Sequence, residues 1–406
     1  MDNNLNIIFD KNIQKQLTPT QPTDFYPAGN WFKKINISDT YTNFNSYKKN
    51  YYYLYAQDWH ALVNQQTNFL SNIDPDIIRL MQYNKIQPML IFMEPVELFD
   101  FNKLMSKNFI YDNNDTLYSK IVTKFDEFDI LEDDIVFLHS SPKVVSDYEQ
   151  LTTRSIPFLQ RPWNIRAKII HHPMFLNWYK YRIGKDYDPN IQSKFRMLSP
   201  GKTYRRHRYL LQYALSEIKN NKLKITCNPY TDTADKNEIA ILKNESLSLD
   251  MADTIENFEK RCPISLDKDI ALVLTDRKKD SSFFSQADLI IPSETLMENN
   301  TCICMSEKTL TPIFLQRPFI MNAHKNFLAM LRGYNLQTFD GIIDETYDKF
   351  EGVERIKLIK QEVLRLLEYD NNKWNKFILD CKDISSYNYK TIQNTDYEQK
   401  TIEQLC

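Results

Sequence analysis

The chain has 406 residues, 42% of them hydrophobic and 26% charged, a folded composition with room for two domains. Its 51 basic and 53 acidic residues give a formal net charge of −2, which argues against a generic nucleic-acid coat protein. The 6 glycines are scattered, so neither a three-glycine dinucleotide turn nor a P-loop is present.

Residues 1–50, polar and Asn-rich, read as an irregular lead-in. The start lacks a basic region followed by an apolar core, so it does not read as a signal peptide, and no window approaches the length of a membrane span. Tyr51 to Tyr55 reads as the first buried strand and Trp59 to Leu70 as a helix. Met89 to Met93, entered through Pro88 and left through Glu94-Pro95, is a sharp strand signal, and Ile135 to Leu138 is another, ending at His139. Phe195 to Leu198 opens a second series: a turn at Ser199 to Lys202, a helix from Tyr209 to Ile218, and a strand at Leu223 to Ile225. Residues 228–265 look like a polar insertion. Leu289 to Ile291 and Phe319 to Met321 read as strands, Glu307 to Phe314 as a helix broken or restarted at Pro312, and Lys325 to Leu331 as a helix. Beyond Glu351 the chain is helical to about Ser386, then a polar tail. Short apolar strands alternating with helices predict α/β domains on parallel sheets. The expected division is 1–190, 191–365 and a C-terminal helix and tail, 366–406, able to pack back on the first domain.

The six cysteines show no metal-ligand spacing, and free thiols in a reducing cytoplasm are expected, with no metal site. Asp267-Lys268-Asp269 reads as a solvated turn, and Arg154, Arg161, Arg166 and Lys168 as a modest basic patch in the first domain.

Four clusters have the chemistry of a site. Arg205-Arg206-His207-Arg208 falls at a helix start just beyond a strand, where Arg205, Arg208 and the nearby Lys202 can clamp phosphate oxygens; the alternative is a solvated basic turn. Cations at a helix N-terminus oppose its dipole, and a bound anion would compensate. Ser306-Glu307-Lys308 is a second helix start: Ser306 caps, Glu307 can accept from a ribose diol, and Lys308 can meet phosphate or hold Glu307. Glu294, after a strand, is placed for ligand contact or for capping. Glu94, held extended by Pro95, is the candidate general base, with Glu97 its rival and His139 a weaker one.

Three of these segments resemble a group of glycosyltransferases of bacteria, phages and large viruses. The matches are Ser293-Glu294-Thr295, the run Arg205 to Leu211, and Ser306 to Tyr347 with Glu307, Lys308, Pro312, Pro318, Phe319, Gly333, Asp340 and Glu345. More distantly the pattern is similar to the fucosyltransferase superfamily. The resemblance implies a GT-B-like fold: two Rossmann-like domains facing across a cleft, with C-terminal helices. It implies a nucleotide-diphosphate sugar as donor substrate, with no tightly bound cofactor, Arg208 (or Arg205) at the diphosphate, Glu307 at the ribose and Lys308 at phosphate. The expected reaction is an inverting, metal-independent transfer to an acceptor hydroxyl, with a carboxylate of the N-terminal domain as base. A retaining enzyme would use the same clamp. A glycan is the favoured acceptor and nucleic acid a less favoured one. The competing reading is a non-catalytic nucleotide- or glycan-binding protein on the same fold.

Overall fold

A computed structural model describes residues 5–10, 13, 36–38, 48–56, 59–65, 67–92, 117–139, 166–173, 176, 193–201, 204–230, 235–264, 284–294 and 305–406. The chain divides into two units: Met1–Trp178 with Thr301–Ile303 and Asp396–Cys406, and Tyr179–Asn300 with Cys304–Thr395.

The first unit is built on six parallel strands: β1 (Leu5–Ile8), β2 (Asn36–Ser38), β3 (Lys49–Tyr55), β4 (Gln87–Phe92), β5 (Val136–His139) and β6 (Lys168–His171), in the order β2-β1-β3-β4-β5-β6. The lead-in read as irregular therefore contributes two strands, and the Tyr51 strand is the third. The signal was hidden because Asn6 interrupts the apolar run of β1. Asn6 is buried, and its side-chain amide donates to Asn50 Oδ1, its register partner on β3, at 2.9 Å. A paired buried amide costs little; an unpaired one would cost a few kcal/mol.

Both faces of this sheet are buried, which explains strands without polar alternation. Tyr52, Leu54, Leu90, Phe92 and Phe137 point to one face. They meet α1 (Trp59–Val63), α2 (Pro75–Gln82) and α3 (Leu117–Asp126). Trp59 is fully buried there, and its indole N–H donates to the Ile91 carbonyl at 3.0 Å. Tyr51, Tyr53, Tyr55, Met89, Ile91 and Leu138 point to the other face, with Ile402 and Leu405 of the final helix.

The second unit is built on β7 (Phe195–Ser199), β8 (Leu223–Ile225) and β9 (Ala287–Ile290), parallel and ordered β8-β7-β9. Parallel bridges from Ile290 to Phe319 and from Ser293 to Asn322 extend the sheet beyond β9. The helices are α4 (Arg206–Ser216), α5 (Lys236–Leu247), α6 (Ile255–Glu259), α7 (Glu307–Phe314), α8 (Phe327–Gly333), α9 (Gly352–Leu367) and α10 (Asn371–Asn394). The 228–265 stretch is thus not a featureless insertion. Asp235 and Thr254 cap α5 and α6 through Glu238 N at 2.8 Å and Asn257 N at 3.2 Å, and Leu242, Ile255 and Phe258 are buried. Pro312 lies inside α7, which runs through it unbroken.

The apolar face of α9, with Ile359, Val363 and Leu366, packs on α4 within the second unit. The segment read as a polar tail ends in α11 (Tyr397–Leu405), which belongs to the first unit. Thr401, Ile402 and Leu405 are its buried stripe, and Tyr51 Oη donates to the Leu405 carbonyl at 2.7 Å. Among the described residues no helix is long and apolar enough to cross a membrane.

Candidate active site

The second sheet reverses its strand order at β7. The chain leaves β7 for β8 on one flank and returns to β9 on the other. In open α/β sheets ligands bind outside the carboxyl ends of strands at such a reversal. The side chains that meet there come from the turn after β7, the turn after β9 and the first turn of α7.

After Ser199 the chain passes Gly201 and enters α4 with Arg205 as its extended N-cap. A Cβ on Gly201 would lie 2.9 Å from the Thr226 carbonyl oxygen, so the close approach of the β7 and β8 turns requires glycine. The Gly201 N–H donates to Thr226 Oγ1 at 2.9 Å. Ser199 Oγ accepts from Gln212 Nε2 at 2.8 Å and donates to the Ile291 carbonyl at 3.3 Å, tying β7, α4 and the end of β9 together.

Glu294 joins the starts of two helices. Its backbone carbonyl accepts from Arg208 Nε at 3.2 Å and Nη2 at 3.1 Å, and from His207 Nε2 at 2.8 Å. Its carboxylate accepts from Ser306 N at 3.0 Å, Ser306 Oγ at 2.5 Å and Thr309 Oγ1. Asn322 completes the junction: its carbonyl accepts from Glu294 N at 2.9 Å, and its amide donates to Ser293 Oγ at 3.0 Å. Glu294 is fully buried, with its carboxylate taken up by Ser306 and Thr309.

The electrostatics follow from burial and neighbouring charge. Burial pushes His207 down to about 3, with Arg208, Arg205 and Arg206 adding to the effect and the Glu294 carbonyl opposing it. The ring is therefore neutral, with its proton on Nε2. Burial also lowers Arg208, while Glu294 and Glu307 favour its charge. At Glu307 burial works against ionisation, but Lys308, by charge and hydrogen bond, and Arg208 outweigh it and hold the carboxyl below its usual range. Glu307 is surrounded by protein, yet 45% of its side chain is open to solvent, and it pairs with Lys308 Nζ. Arg205 is exposed and has no ion pair among the described residues, whereas Arg206 is paired with Glu245 at 3.2 Å.

The structure thus brings Arg205, Arg208, Glu294, Glu307 and Lys308 to one edge of one sheet. Lys202 and Glu94 lie outside the described residues, as do Glu97 and Asp267 to Asp269. His139, read as a base or acceptor contact, is instead fully buried at the end of β5 and stacks on Phe92 with centroids 5.9 Å apart. In the basic patch of the first unit, Arg166 pairs with Glu132 and Asp133 at 3.5 and 3.4 Å, and Lys168 Nζ donates to the Gln404 carbonyl. Sequence reasoning missed Thr309, Asn322 and the structural use of His207. Ser306 and Thr309, three apart at a helix start, were the available signal.

No family model matches the chain, and no curated protein does. Solved structures overlap it over nearly its whole length. T4 phage β-glucosyltransferase in complex with UDP and Mn²⁺ is 9% identical, with a TM-score of 0.44 covering 99% of both chains. A DNA-modifying β-glucosyltransferase, solved in the presence and absence of uridine diphosphoglucose, is 10% identical, with a TM-score of 0.46 covering 98% of this chain and 99% of that one. The N-terminal domain of Candida albicans trehalose-6-phosphate phosphatase is 7% identical, with a TM-score of 0.39 covering 99% and 95%.

Proposed function

We propose that the chain is a GT-B-like glycosyltransferase that moves a sugar from a nucleotide-diphosphate donor to an acceptor hydroxyl. One observation carries this reading. Two helix N-termini, those of α4 and α7, are fastened to one residue, Glu294, at the strand-order reversal, with Arg205, Arg208 and Lys308 around them and the open Glu307 carboxylate between. Backbone N–H groups and cations suit a diphosphate, and a carboxylate beside them suits a ribose diol.

In this reading Arg205, Arg208 and Lys308 hold the diphosphate, and Glu307 accepts from the ribose hydroxyls. A base removes the acceptor proton, the acceptor oxygen bonds to the anomeric carbon, and the bond from that carbon to the diphosphate oxygen breaks. The charge arriving on the diphosphate is met by cations already in place, which lowers the barrier without reorganisation. We assign the base to Glu94, after β4, with inversion at the anomeric carbon and no metal requirement. A glycan or other hydroxyl is the acceptor, and nucleic acid is the second candidate.

The test is turnover of radiolabelled nucleotide sugars, UDP-glucose first, with glycan and duplex DNA acceptors, with and without Mg²⁺ or Mn²⁺. Transfer abolished by Glu94→Gln and weakened by Glu307→Ala supports the assignment. Tight nucleotide binding with no transfer to any acceptor would favour the non-catalytic reading.

A further inference from the structure

A crevice beside Arg208 holds a polar atom that the proposed transfer leaves unused. It lies between the turns after β7 and β8 and the start of α4. Its walls are Gly201, Tyr204, Arg208, Tyr209, Gln212 and Cys227, and it has room for about one water-sized group. Gln212 is fully buried, and its Oε1 has no hydrogen-bond partner among the described residues. Native structures seldom leave a buried carbonyl oxygen unpaired, because its hydration is lost without replacement.

The amide cannot turn to relieve this. Gln212 Nε2 donates to Ser199 Oγ at 2.8 Å, and the Ser199 hydroxyl spends its proton on the Ile291 carbonyl at 3.3 Å. A flipped amide would set two acceptors against each other. Oε1 is therefore held as an acceptor, and its partner must be a donor. The crevice supplies the place. A Cβ added at Gly201 would sit 3.2 Å from Gln212 Cγ, so the missing side chain keeps the approach to the amide open. The Arg208 cation in the same wall disfavours an ammonium there, and a neutral hydroxyl fits both the space and the charge.

The strand order indicates where that hydroxyl comes from. Glu307, assigned the ribose, begins the helix fastened to Glu294 on the β9 flank of Arg208, and the crevice lies on the β8 flank. A diphosphate on Arg208 with its ribose at Glu307 sends its other substituent, the sugar, toward the crevice. We propose that the crevice is a subsite for one hydroxyl of the donor sugar, which donates to Gln212 Oε1. This inference rests on the transferase reading and names the residue through which that site distinguishes a nucleotide sugar from the bare nucleotide.

The test is isothermal titration of two pairs, UDP with UDP-glucose and GDP with GDP-mannose, into the full-length protein, Gln212→Met and Ser199→Ala. Both variants break the bond between Gln212 and Ser199, but only the first removes Oε1. In Gln212→Met the affinity for the sugar nucleotide should fall about three- to tenfold relative to its bare nucleotide. Ser199→Ala should leave that ratio near the wild-type value. If Gln212→Met does not fold, deoxyfluoro analogues of the sugar nucleotide that binds are titrated into the wild-type protein instead. Fluorine cannot donate, so substitution at one position should weaken binding several-fold and at the others little. An unchanged ratio in Gln212→Met, or analogues that all bind like the parent, overturns the proposal and means that ordered water alone satisfies Oε1. With nucleotide binding intact, that result leaves the transferase reading standing. A folded wild-type protein that binds none of the four compounds overturns both.

Discussion

The guanidinium of Arg208 is fastened to the backbone carbonyl of Glu294 by Nε at 3.2 Å and Nη2 at 3.1 Å. The cation is therefore held in place before any ligand arrives, by a residue whose own carboxylate organises the neighbouring helix start. Preorganisation of this kind lowers the cost of meeting a developing charge.

Glu294→Gln should destabilise the second unit. Its carboxylate accepts from Ser306 N, Ser306 Oγ and Thr309 Oγ1, and an amide nitrogen would face at least one of these donors. The expected loss is about 1–3 kcal/mol, measured by urea denaturation. Nucleotide affinity should fall with it, because both helix starts shift.

Arg205 and Arg208 should separate binding from stability. Arg205 is exposed with no ion pair among the described residues, so Arg205→Ala should change stability by less than about 0.5 kcal/mol. It should still weaken nucleoside diphosphate binding by roughly tenfold, about 1.4 kcal/mol. Arg208→Ala should lose both, since it leaves the buried Glu294 carbonyl short of two donors. Calorimetric titration paired with thermal melting distinguishes the two.

Acid should destabilise the protein well above the carboxylate range. Burial pushes both His172 and His207 down to about 3, with His171 adding to the effect at His172 and the three arginines at His207. The unfolded chain takes up these protons near pH 6.5, while the folded one resists until near 3. The stability is present above about pH 6.5 and is lost as pH falls through that window, by up to about 1.4 kcal/mol per pH unit per histidine. Denaturation midpoints across pH 4–7 should flatten in a His172→Asn variant, whose side-chain amide replaces the Nδ1 contact to Thr401 Oγ1, 2.8 Å in the native chain.

The C-terminal helix should be required for the first unit. Leu405 is fully buried against β3, and its carbonyl accepts from Tyr51 Oη at 2.7 Å. Leu405→Ala should cost about 2–5 kcal/mol by the cavity it leaves. Equal denaturation midpoints for variant and wild type would show that α11 merely decorates the sheet.

Arg355 is the largest polar contributor to the core of the second unit. It is fully buried on α9, pairs with Asp348 at 2.9 Å and donates to carbonyls of Met321, His324 and Tyr347. Arg355→Ala should cost about 3–5 kcal/mol, because it leaves Asp348 buried and unpaired. Arg355→Met with Asp348→Asn should recover part of that loss.

The strands with continuous apolar runs, β4, β5 and β7, were legible because burial on both faces removes polar residues from the sequence. β1 was not, because its buried Asn6 is balanced by Asn50, forty-four positions away. The α11 stripe was hidden by its polar neighbours: Thr401 looks like surface until His172 is seen beside it. At the site, helix starts at Arg205 and Ser306 were readable from capping chemistry and resemblance. That Glu294 is consumed in joining them was not, since the partner of a buried carboxylate is set by tertiary contact and not by spacing.

The proposed function requires the edge around Glu294 to bind a nucleoside diphosphate. Isothermal titration of UDP, GDP, ADP and CDP into the wild-type chain, with Glu307→Ala beside it, tests this most directly. Saturable binding of at least one, weakened about tenfold or more in Glu307→Ala while the melting temperature holds, is the predicted result. A folded wild-type protein that binds none of them, or binds one equally well without the Glu307 carboxylate, would contradict it.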